Sequence, residues 1–242
     1  MEQDKLDRLQ NLMVADDPKS AVSEAFRVLR TNLQFSSVDK QLKIISVTSS
    51  YPGEGKTTIC SNLAVSVAST GKKVLLIDAD LRKPRIQKVF LLENFKGLSN
   101  LLAEKLKLQS VVNNLDIENM HVITSGPVPP NPAEMLGSDR MKDFLNEASS
   151  AYDVILLDAP PVNTVADVSI LSSYVDGVIL VVEVGTTPRE AVMIAKQQLE
   201  KVNANIIGVV LNKVEHHGAG YYYYYYYYDE GSKKQRRRKR RV

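Results

Sequence analysis

Cysteine is nearly absent from this 242-residue chain, which contains only Cys60. A single cysteine excludes an internal disulfide framework and fits a reducing compartment. No apolar run approaches the roughly 18–20 residues that a membrane-spanning helix needs. The polar N-terminus also lacks the apolar stretch of a signal peptide. We therefore expect a cytoplasmic protein, held at a membrane only by another molecule if at all.

Histidine is also scarce, and the three histidines show no metal-ligand spacing; they are His121, His216 and His217. What the chain does have is enough apolar content for a sizeable core, at 44% hydrophobic residues. The net charge of +3 conceals an asymmetry, because residues 233–241 hold eight of the basic residues. The rest of the chain is mildly acidic, so the basic end is a separate cationic segment.

The most informative motif is a glycine-rich turn between a strand and a helix. An apolar run over 43–48 predicts the strand, and a helical pattern follows from Thr57 to about Ser69. A strand, a glycine-rich turn and a helix in this order are typical of a phosphate-binding loop, whose backbone N–H groups approach phosphate oxygens. The positive end of the helix dipole favours the same anion. The predicted ATP-binding residues of this loop are Pro52, Gly53, Glu54, Gly55, Lys56, Thr57 and Thr58.

Within this loop, Lys56 is expected to reach the β- and γ-phosphates and the Thr57 hydroxyl to bind Mg²⁺. The usual pattern G-x-x-x-x-G-K-[ST] has glycine where this chain has Ser50, and we expect Gly53 to supply the missing flexibility. The alternative, a surface turn that happens to contain Gly-Lys-Thr, is disfavoured by the flanking strand and helix.

Three carboxylates stand at the ends of apolar runs that are typical of buried strands. Mg²⁺ bound to a nucleotide needs oxygen ligands of this kind near the phosphates. Asp78 and Asp80 end the run that starts at Val74, and Asp158 ends the run that starts at Asp153. Asp158 has the form of a Walker B residue, and we predict Thr57, Asp80 and Asp158 as the metal-binding set. A role as strand-end turn residues is improbable for all three together. Asp153 starts its strand and is expected at the opposite edge of the sheet.

Three further assignments stay open at this level. Asn212 ends the last apolar run, where its amide either binds a nucleotide base or is a plain strand-end residue. Asp167 could approach the site, but its spacing predicts no specific role for it. Arg82, Lys83 and Arg85 form a basic cluster that either stabilises phosphate, guides a partner segment or is simply solvated.

Apolar runs alternate with helical patterns along the chain. This order predicts an α/β fold with a mostly parallel central sheet of six or more strands, flanked by helices on both faces. Residues 86–118 are expected to form short helices and loops, and the four prolines of 126–132 a rigid loop. The predicted parts are an N-terminal helical segment (1–36), a phosphate-loop domain (37–216) and a flexible tail (217–242).

In the N-terminal segment, Glu24, Arg27 and Arg30 recur every three residues and share one helix face. Spacing alone favours a solvated face with one intrahelical ion pair.

The tail combines eight consecutive tyrosines with the basic end. The twelve steps from His216 to Tyr228 span roughly 40 Å when extended, enough to enter a neighbouring subunit's site. The basic end is a solubilising terminus, a segment attracted to anionic lipid or a polyanion contact. The tyrosines are Tyr221, Tyr222, Tyr223, Tyr224, Tyr225, Tyr226, Tyr227 and Tyr228.

Taken together, these motifs resemble the bacterial tyrosine kinases that control capsule and exopolysaccharide synthesis, in the form whose kinase domain is a separate cytosolic chain. The resemblance extends almost end to end. It rests on Glu24-x-x-Arg27-x-x-Arg30, Pro52–Thr58, Leu76–Pro84, Gly126–Glu134, Ile155–Pro161 and the tyrosine cluster.

The resemblance implies an ATP- and Mg²⁺-dependent protein-tyrosine kinase that autophosphorylates its tail tyrosines in trans. Glu24, Arg27 and Arg30 would then be subunit contacts of a ring-shaped homo-oligomer. The implied partners are a membrane-spanning activator that holds the kinase at the inner face of the membrane, a cognate tyrosine phosphatase and polysaccharide-synthesis proteins. No nucleic acid is expected. The chain departs from the family in its uninterrupted tyrosines and strongly basic end.

We predict Lys56, Asp78, Asp80 and Asp158 as the catalytic residues, with Asp78 or Asp80 receiving or orienting the tyrosine proton. One alternative is a partitioning or positioning ATPase of the related deviant-Walker class, anchored by its basic tail. Another is a nucleotide-binding regulator without transfer activity. The tyrosine run favours the kinase.

Overall fold

The structure is a computed structural model that describes residues 12–36, 42–104 and 106–214. The described residues up to Asn212 belong to one compact unit. Within the described ranges, no helix combines the length and the apolar character needed to cross a membrane.

A seven-stranded sheet forms the centre of this unit, in the order β3-β4-β2-β5-β1-β6-β7. All strand pairings are parallel except that of β3 with β4. The strands are β1 (Ile44–Ser49), β2 (Val74–Asp78), β3 (Asn113–Asn114), β4 (Met120–Ile123), β5 (Val154–Asp158), β6 (Gly177–Glu183) and β7 (Ile206–Asn212).

Continuous apolar composition explains why the central strands lie between two helical layers. Every residue of β2 and β5 is buried, and only the last residue of β6 is not. Strands covered on both faces by helices are typically apolar without alternation. The predicted α/β class with a mostly parallel sheet is therefore confirmed.

Helices pack on both faces of the sheet, and the core therefore consists of two clusters, one on each side of the sheet. One cluster includes Leu63 and Phe26, and the other includes Phe144 and Leu199. The helices are α1 (Met13–Asp16), α2 (Ala21–Phe35), α3 (Lys56–Ala68), α4 (Ile86–Val89), α5 (Leu98–Glu104), α6 (Pro132–Leu136), α7 (Asp139–Ala151), α8 (Asp167–Leu171) and α9 (Arg189–Lys201), with a 3-10 turn at Leu108–Ser110.

Side-chain caps determine where two of the longer helices begin. The Ser20 hydroxyl accepts the Ser23 N–H at 3.1 Å before α2, and the Ser138 hydroxyl accepts the Met141 N–H at 3.2 Å before α7. Each cap satisfies one of the N–H groups that a helix start leaves without an internal partner. Helix α3 is unlike these two, because it has no polar face and is buried for most of its length.

Two local features differ from the sequence-based expectation. The two-residue antiparallel strand β3 lies within the stretch expected to hold only short helices and loops, since Asn113–Asn114 has no apolar pattern. The proline-rich stretch also includes the start of α6, because Pro132 occupies the first turn, where a missing N–H costs no helical hydrogen bond.

Candidate active site

The glycine-rich turn joins β1 to α3 in a conformation that requires glycine. Gly53 and Gly55 have φ of 93° and 95°, and Gly55 is the N-cap of α3, which begins at Lys56. Side chains are strongly disfavoured at such angles, whereas glycine adopts them readily. The first N–H groups of α3 have no intrahelical acceptor and are donors for an anion at this end.

Lys56 lies between two carboxylates that come from different strands. Its Nζ is 3.0 Å from Asp80 Oδ2 and 3.2 Å from Asp158 Oδ1. The Thr57 hydroxyl donates to Asp158 Oδ2 at 2.6 Å. The two carboxylates meet because β2 and β5 pair in parallel, with Asp78 opposite Asp158, so that both strands end at the same edge.

Asp78 has a different set of partners from Asp80. Its Oδ2 accepts the N–H groups of Arg85 and Ile86 at 3.0 and 2.9 Å, and its Oδ1 accepts that of Asp80 at 3.2 Å. Asp80 accepts one backbone N–H, from Lys83 at 3.0 Å, and contacts Lys56 with its other oxygen. Asp78 therefore holds the backbone that follows β2, while Asp80 faces the lysine.

Burial and mutual charge determine the protonation of this cluster. Burial, followed by the negative charge of Asp158, raises the pKa of Asp78 to about 8. Burial also raises the pKa of Asp158, against the opposing effects of Lys56 and Thr57. Burial disfavours the charged form of Lys56, but Asp158 and Asp80 outweigh it and raise the Lys56 pKa above its ordinary value. The neighbouring carboxylates therefore favour the charged form of Lys56 in this site.

The glycine-rich turn is held by contacts from the loop after β6 and from the end of β7. The Glu54 carboxylate is 3% exposed and accepts the Tyr51 N–H at 2.9 Å and the hydroxyl of Thr187. The Asn212 amide donates to the Glu54 carbonyl at 2.8 Å. A Cβ on Gly55 would lie 2.1 Å from Asn212 Nδ2, so this close approach excludes a side chain there as well. These contacts hold the turn in its observed conformation.

An ion pair lies beside this cluster, and the sequence patterns did not predict it. Arg82 Nε and Nη2 donate to the two oxygens of Asp167 at 2.8 and 3.0 Å, and the Asp167 side chain is fully buried. Hydrogen bonding to Asp167 raises the Arg82 pKa above its ordinary value. The pair links the segment after β2 to the start of α8, a relation that depends on tertiary placement and leaves no periodic signal.

The N-terminal helix places its three predicted contact residues differently. Arg27 pairs with Glu24 at 2.5 Å, and both side chains are more than two-fifths exposed. Arg30 instead donates to the Ser66 carbonyl at 2.6 Å, at the C-terminal end of α3. Two of the three residues are therefore on the surface, and the third connects α2 to the phosphate-loop helix.

The other residues named from the sequence lie in the turn, in the first helical turn of α3 or in the core. Pro52 is exposed in the turn, and Thr58 is in the first turn of α3. Ser50 is buried, and its hydroxyl has no hydrogen-bond partner within the described ranges. Cys60 is a buried core residue, and burial raises its thiol pKa, so it is not a nucleophile. The tyrosines Tyr221 to Tyr228 lie outside the described residues.

The donor set suits Mg²⁺ bound together with a nucleotide. In the described part of the chain, no three His, Cys, Asp or Glu side chains form a cluster that could hold a metal by itself. Mg²⁺ typically takes one or two carboxylates and completes its shell with phosphate oxygens and waters. Thr57, Asp80 and Asp158 offer oxygen donors of this kind around Lys56.

A preformed glycine turn at a helix start, with its lysine between strand-end carboxylates, defines the class of P-loop nucleotide-binding proteins. The family model described as "AAA domain" matches residues 42–207. The chain is 46% identical over 202 residues to tyrosine-protein kinase YwqD of Bacillus subtilis, covering 84% of this chain and 85% of that protein. It is 38% identical to the putative tyrosine-protein kinase CapB of Staphylococcus aureus, covering 84% and 89%.

Solved structures agree with these relatives. The chimerical protein CapA2B2 matches with a TM-score of 0.83 and 38% identity, covering 86% of this chain and 91% of that one. The septum site-determining protein MinD of Pyrococcus horikoshii, complexed with Mg-ADP, matches with 0.60 and 26%, covering 70% and 69%. The chain belongs to the family of bacterial tyrosine-protein kinases, enzymes built on a P-loop domain, and the family resemblance is confirmed.

Proposed function

We propose that this kinase uses Mg-ATP to phosphorylate the tyrosine cluster at residues 221–228 of a second copy of itself, and that this modification regulates capsule or exopolysaccharide synthesis. The observation that carries the proposal is the position of Lys56 Nζ between Asp80 and Asp158, at the N-terminus of α3. Phosphoryl transfer needs positioning and charge neutralisation more than covalent chemistry, and this cluster supplies both.

The phosphate-loop residues bind and orient the nucleotide in this proposal. Backbone N–H groups over 53–58 hold the phosphates, with Pro52 shaping the turn. Lys56 exchanges its contacts with the carboxylates for the transferring phosphoryl group and neutralises its charge. Asn212 and Glu54 contribute by holding the turn in its binding conformation.

Thr57, Asp158 and Asp80 would hold Mg²⁺, which when bound neutralises the phosphate charge. The Thr57 hydroxyl already contacts Asp158, so both side chains are positioned at one point near the loop. Their oxygen chemistry suits this ion.

The tyrosine hydroxyl, with a pKa of about 10 in its ordinary state, gains from a nearby acceptor for its proton. We assign that role to Asp80 rather than Asp78. Asp78 already accepts three backbone N–H groups, whereas Asp80 accepts one and otherwise contacts only Lys56. Asp78 then acts as a positioning residue for the segment that carries Asp80.

The remaining partners are part of the same proposal. The exposed Glu24 and Arg27 would contact a neighbouring subunit in a ring-shaped oligomer, with Arg30 holding their helix on α3. A membrane-spanning activator would bring the ring to the inner face of the membrane, and a cognate tyrosine phosphatase would reverse the modification. Polysaccharide-synthesis proteins would respond to it.

Incubation of the purified chain with Mg-ATP, followed by intact-mass analysis and phosphosite mapping, tests this function. We expect several phosphates, confined to 221–228, and none on a Lys56→Met protein. The measurement is made with and without the cytosolic segment of a candidate activator. ATP hydrolysis without tyrosine phosphate under both conditions would instead support the partitioning-ATPase alternative.

A further inference from the structure

The segment that follows β2 presents three exposed cations, Lys83, Arg85 and Lys88, which we call the basic platform. Arg85 is the N-cap of α4, and Lys88 lies in the last turn of that helix. Within the described ranges, none of the three forms an ion pair. A charged surface segment is normally mobile and solvated. It can act as a binding surface only if the rest of the protein holds its backbone in place.

Carboxylates of the active site anchor this segment through its backbone. The N–H of Lys83 donates to Asp80 at 3.0 Å, and those of Arg85 and Ile86 donate to Asp78 at 3.0 and 2.9 Å. The platform is therefore fixed at the same sheet edge as Lys56. These hydrogen bonds restrain its backbone, and such restraint lowers the entropic cost of binding a partner.

Arg82 is part of the anchoring rather than of the platform. Its guanidinium is held by the buried Asp167 through two hydrogen bonds. Within the described ranges, the neighbouring cations form no ion pair, so the segment has one arginine neutralised by Asp167 and three exposed cations without a carboxylate partner. Their uncompensated charge favours an anionic partner.

We propose that the basic platform binds the phosphorylated tyrosine cluster of a second copy of the chain. This inference rests on the proposed function, because it concerns the product of that reaction. Each phosphotyrosine adds about −1.5 to −2 charge and three acceptor oxygens. Before modification, residues 218–230 carry only two acidic residues, Asp229 and Glu230. The platform thus distinguishes the modified tail from the unmodified one.

The consequence is retention of the product beside the site. Arg85 suits bidentate phosphate binding, and Lys83 and Lys88 add point charges. A tail held by its first phosphotyrosine keeps the remaining hydroxyls close to Asp80 and Lys56, so later transfers to the same tail are favoured over transfers to a new one. Eight adjacent tyrosines are the arrangement in which such retention has most effect.

Direct binding tests this site without any turnover. The full chain is first dephosphorylated with a phosphatase and kept free of nucleotide. Fluorescence anisotropy then measures its affinity for a synthetic peptide of residues 218–230, either unmodified or carrying three phosphotyrosines. We expect the phosphorylated peptide to bind at least about tenfold more tightly, with an affinity that falls as salt rises.

The test variant is Lys83→Gln/Arg85→Gln/Lys88→Gln, and Lys142→Gln/Lys196→Gln/Lys201→Gln is its control. The control removes three exposed cations from α7 and α9, so the net charge of both variants is the same. We expect the test variant to bind the phosphopeptide about tenfold more weakly than the control, since it loses several charge-assisted contacts. Equal affinity in the two variants would overturn the proposal.

Two further arms separate other sources of the same chemistry. Saturating Mg-ADP should leave phosphopeptide binding nearly unchanged; displacement would place the peptide's phosphates in the nucleotide site and overturn the proposal. Vesicles of phosphatidylcholine with phosphatidylserine should bind both variants equally. A loss of vesicle binding confined to the test variant, with peptide binding intact, would make the platform a membrane contact instead. None of these binding measurements depends on phosphoryl transfer, so a failure of this proposal can be distinguished from a failure of the proposed kinase function in the intact-mass test.

Discussion

One aspartate directly precedes strand β5 and another ends it, and the two have different partners. Before the strand, Asp153 accepts the backbone N–H of Lys73 at 2.8 Å. At its end, Asp158 contacts the side chains of Lys56 and Thr57. Asp176, just before β6, follows the pattern of Asp153 and accepts the N–H groups of Lys43 and Ile44.

Asp153 and Asp158 therefore serve different purposes, although Asp78 shows that a carboxylate at the C-terminal edge can also accept backbone N–H groups. At the N-terminal edge, carboxylates satisfy backbone donors where neighbouring strands begin, and this stabilises the fold. At the C-terminal edge, Asp158 holds side chains that can transfer their contacts to a ligand. This agrees with the general location of ligand sites in open parallel sheets.

The largest expected effect separates Asp158 from Asp153. Asp158→Asn should lower the rate of tyrosine phosphorylation about 10²–10³-fold, because it removes a charge that positions Lys56 and Thr57. Asp153→Asn should leave that rate within about twofold and lower the free energy of unfolding by about 1 kcal/mol, since it weakens one backbone contact. Initial rates and urea unfolding of both variants measure this difference. Similar rate losses in the two would refute the division between the edges.

Much of this fold could be predicted from the sequence, because the central strands are unbroken apolar runs that end in recognisable residues. Parallel pairing brings the ends of β2 and β5 together, so a cluster of Asp80, Asp158 and Lys56 was also predictable. The two-residue β3 was not, since Asn113–Asn114 resembles a loop. The Arg82–Asp167 pair and the Glu54–Thr187 contact join distant segments, and only tertiary packing determines them.

A smaller effect tests the preformed turn at the nucleotide edge. Gly53 and Gly55 both have positive φ, but only Gly55 has Asn212 within 4 Å of an added Cβ. Gly55→Ala should therefore weaken ADP binding by at least about tenfold, and Gly53→Ala by about threefold, since the latter meets only the backbone strain of roughly 1 kcal/mol. Isothermal titration with ADP compares them. Equal losses would indicate that the Asn212 contact does not shape the turn.

The smallest effect concerns the helix that packs on α3. Arg30→Ala should lower the free energy of unfolding by about 1–2 kcal/mol, because it removes the donor to the Ser66 carbonyl. Arg27→Ala should cost less, at most about 1 kcal/mol, because its ion pair with Glu24 and its hydrogen bond to the Pro18 carbonyl are both exposed. Light scattering should nevertheless show a smaller species for Arg27→Ala if this residue contacts a neighbouring subunit. An unchanged mass for Arg27→Ala would contradict that contact.

The central claim is that the active site of one copy, with Lys56 neutralising charge, transfers a phosphoryl group from ATP to a tail tyrosine of another copy. A mixing experiment tests it most directly, with one variant lacking all eight tail hydroxyls (Tyr221–Tyr228 to Phe) and the other carrying Lys56→Met. Neither variant should label its own tail with Mg-ATP. In the mixture, the account predicts phosphotyrosine on the Lys56→Met chain, identified by intact mass. A mixture that stays unlabelled, while the wild-type chain labels itself under the same conditions, would contradict transfer between copies.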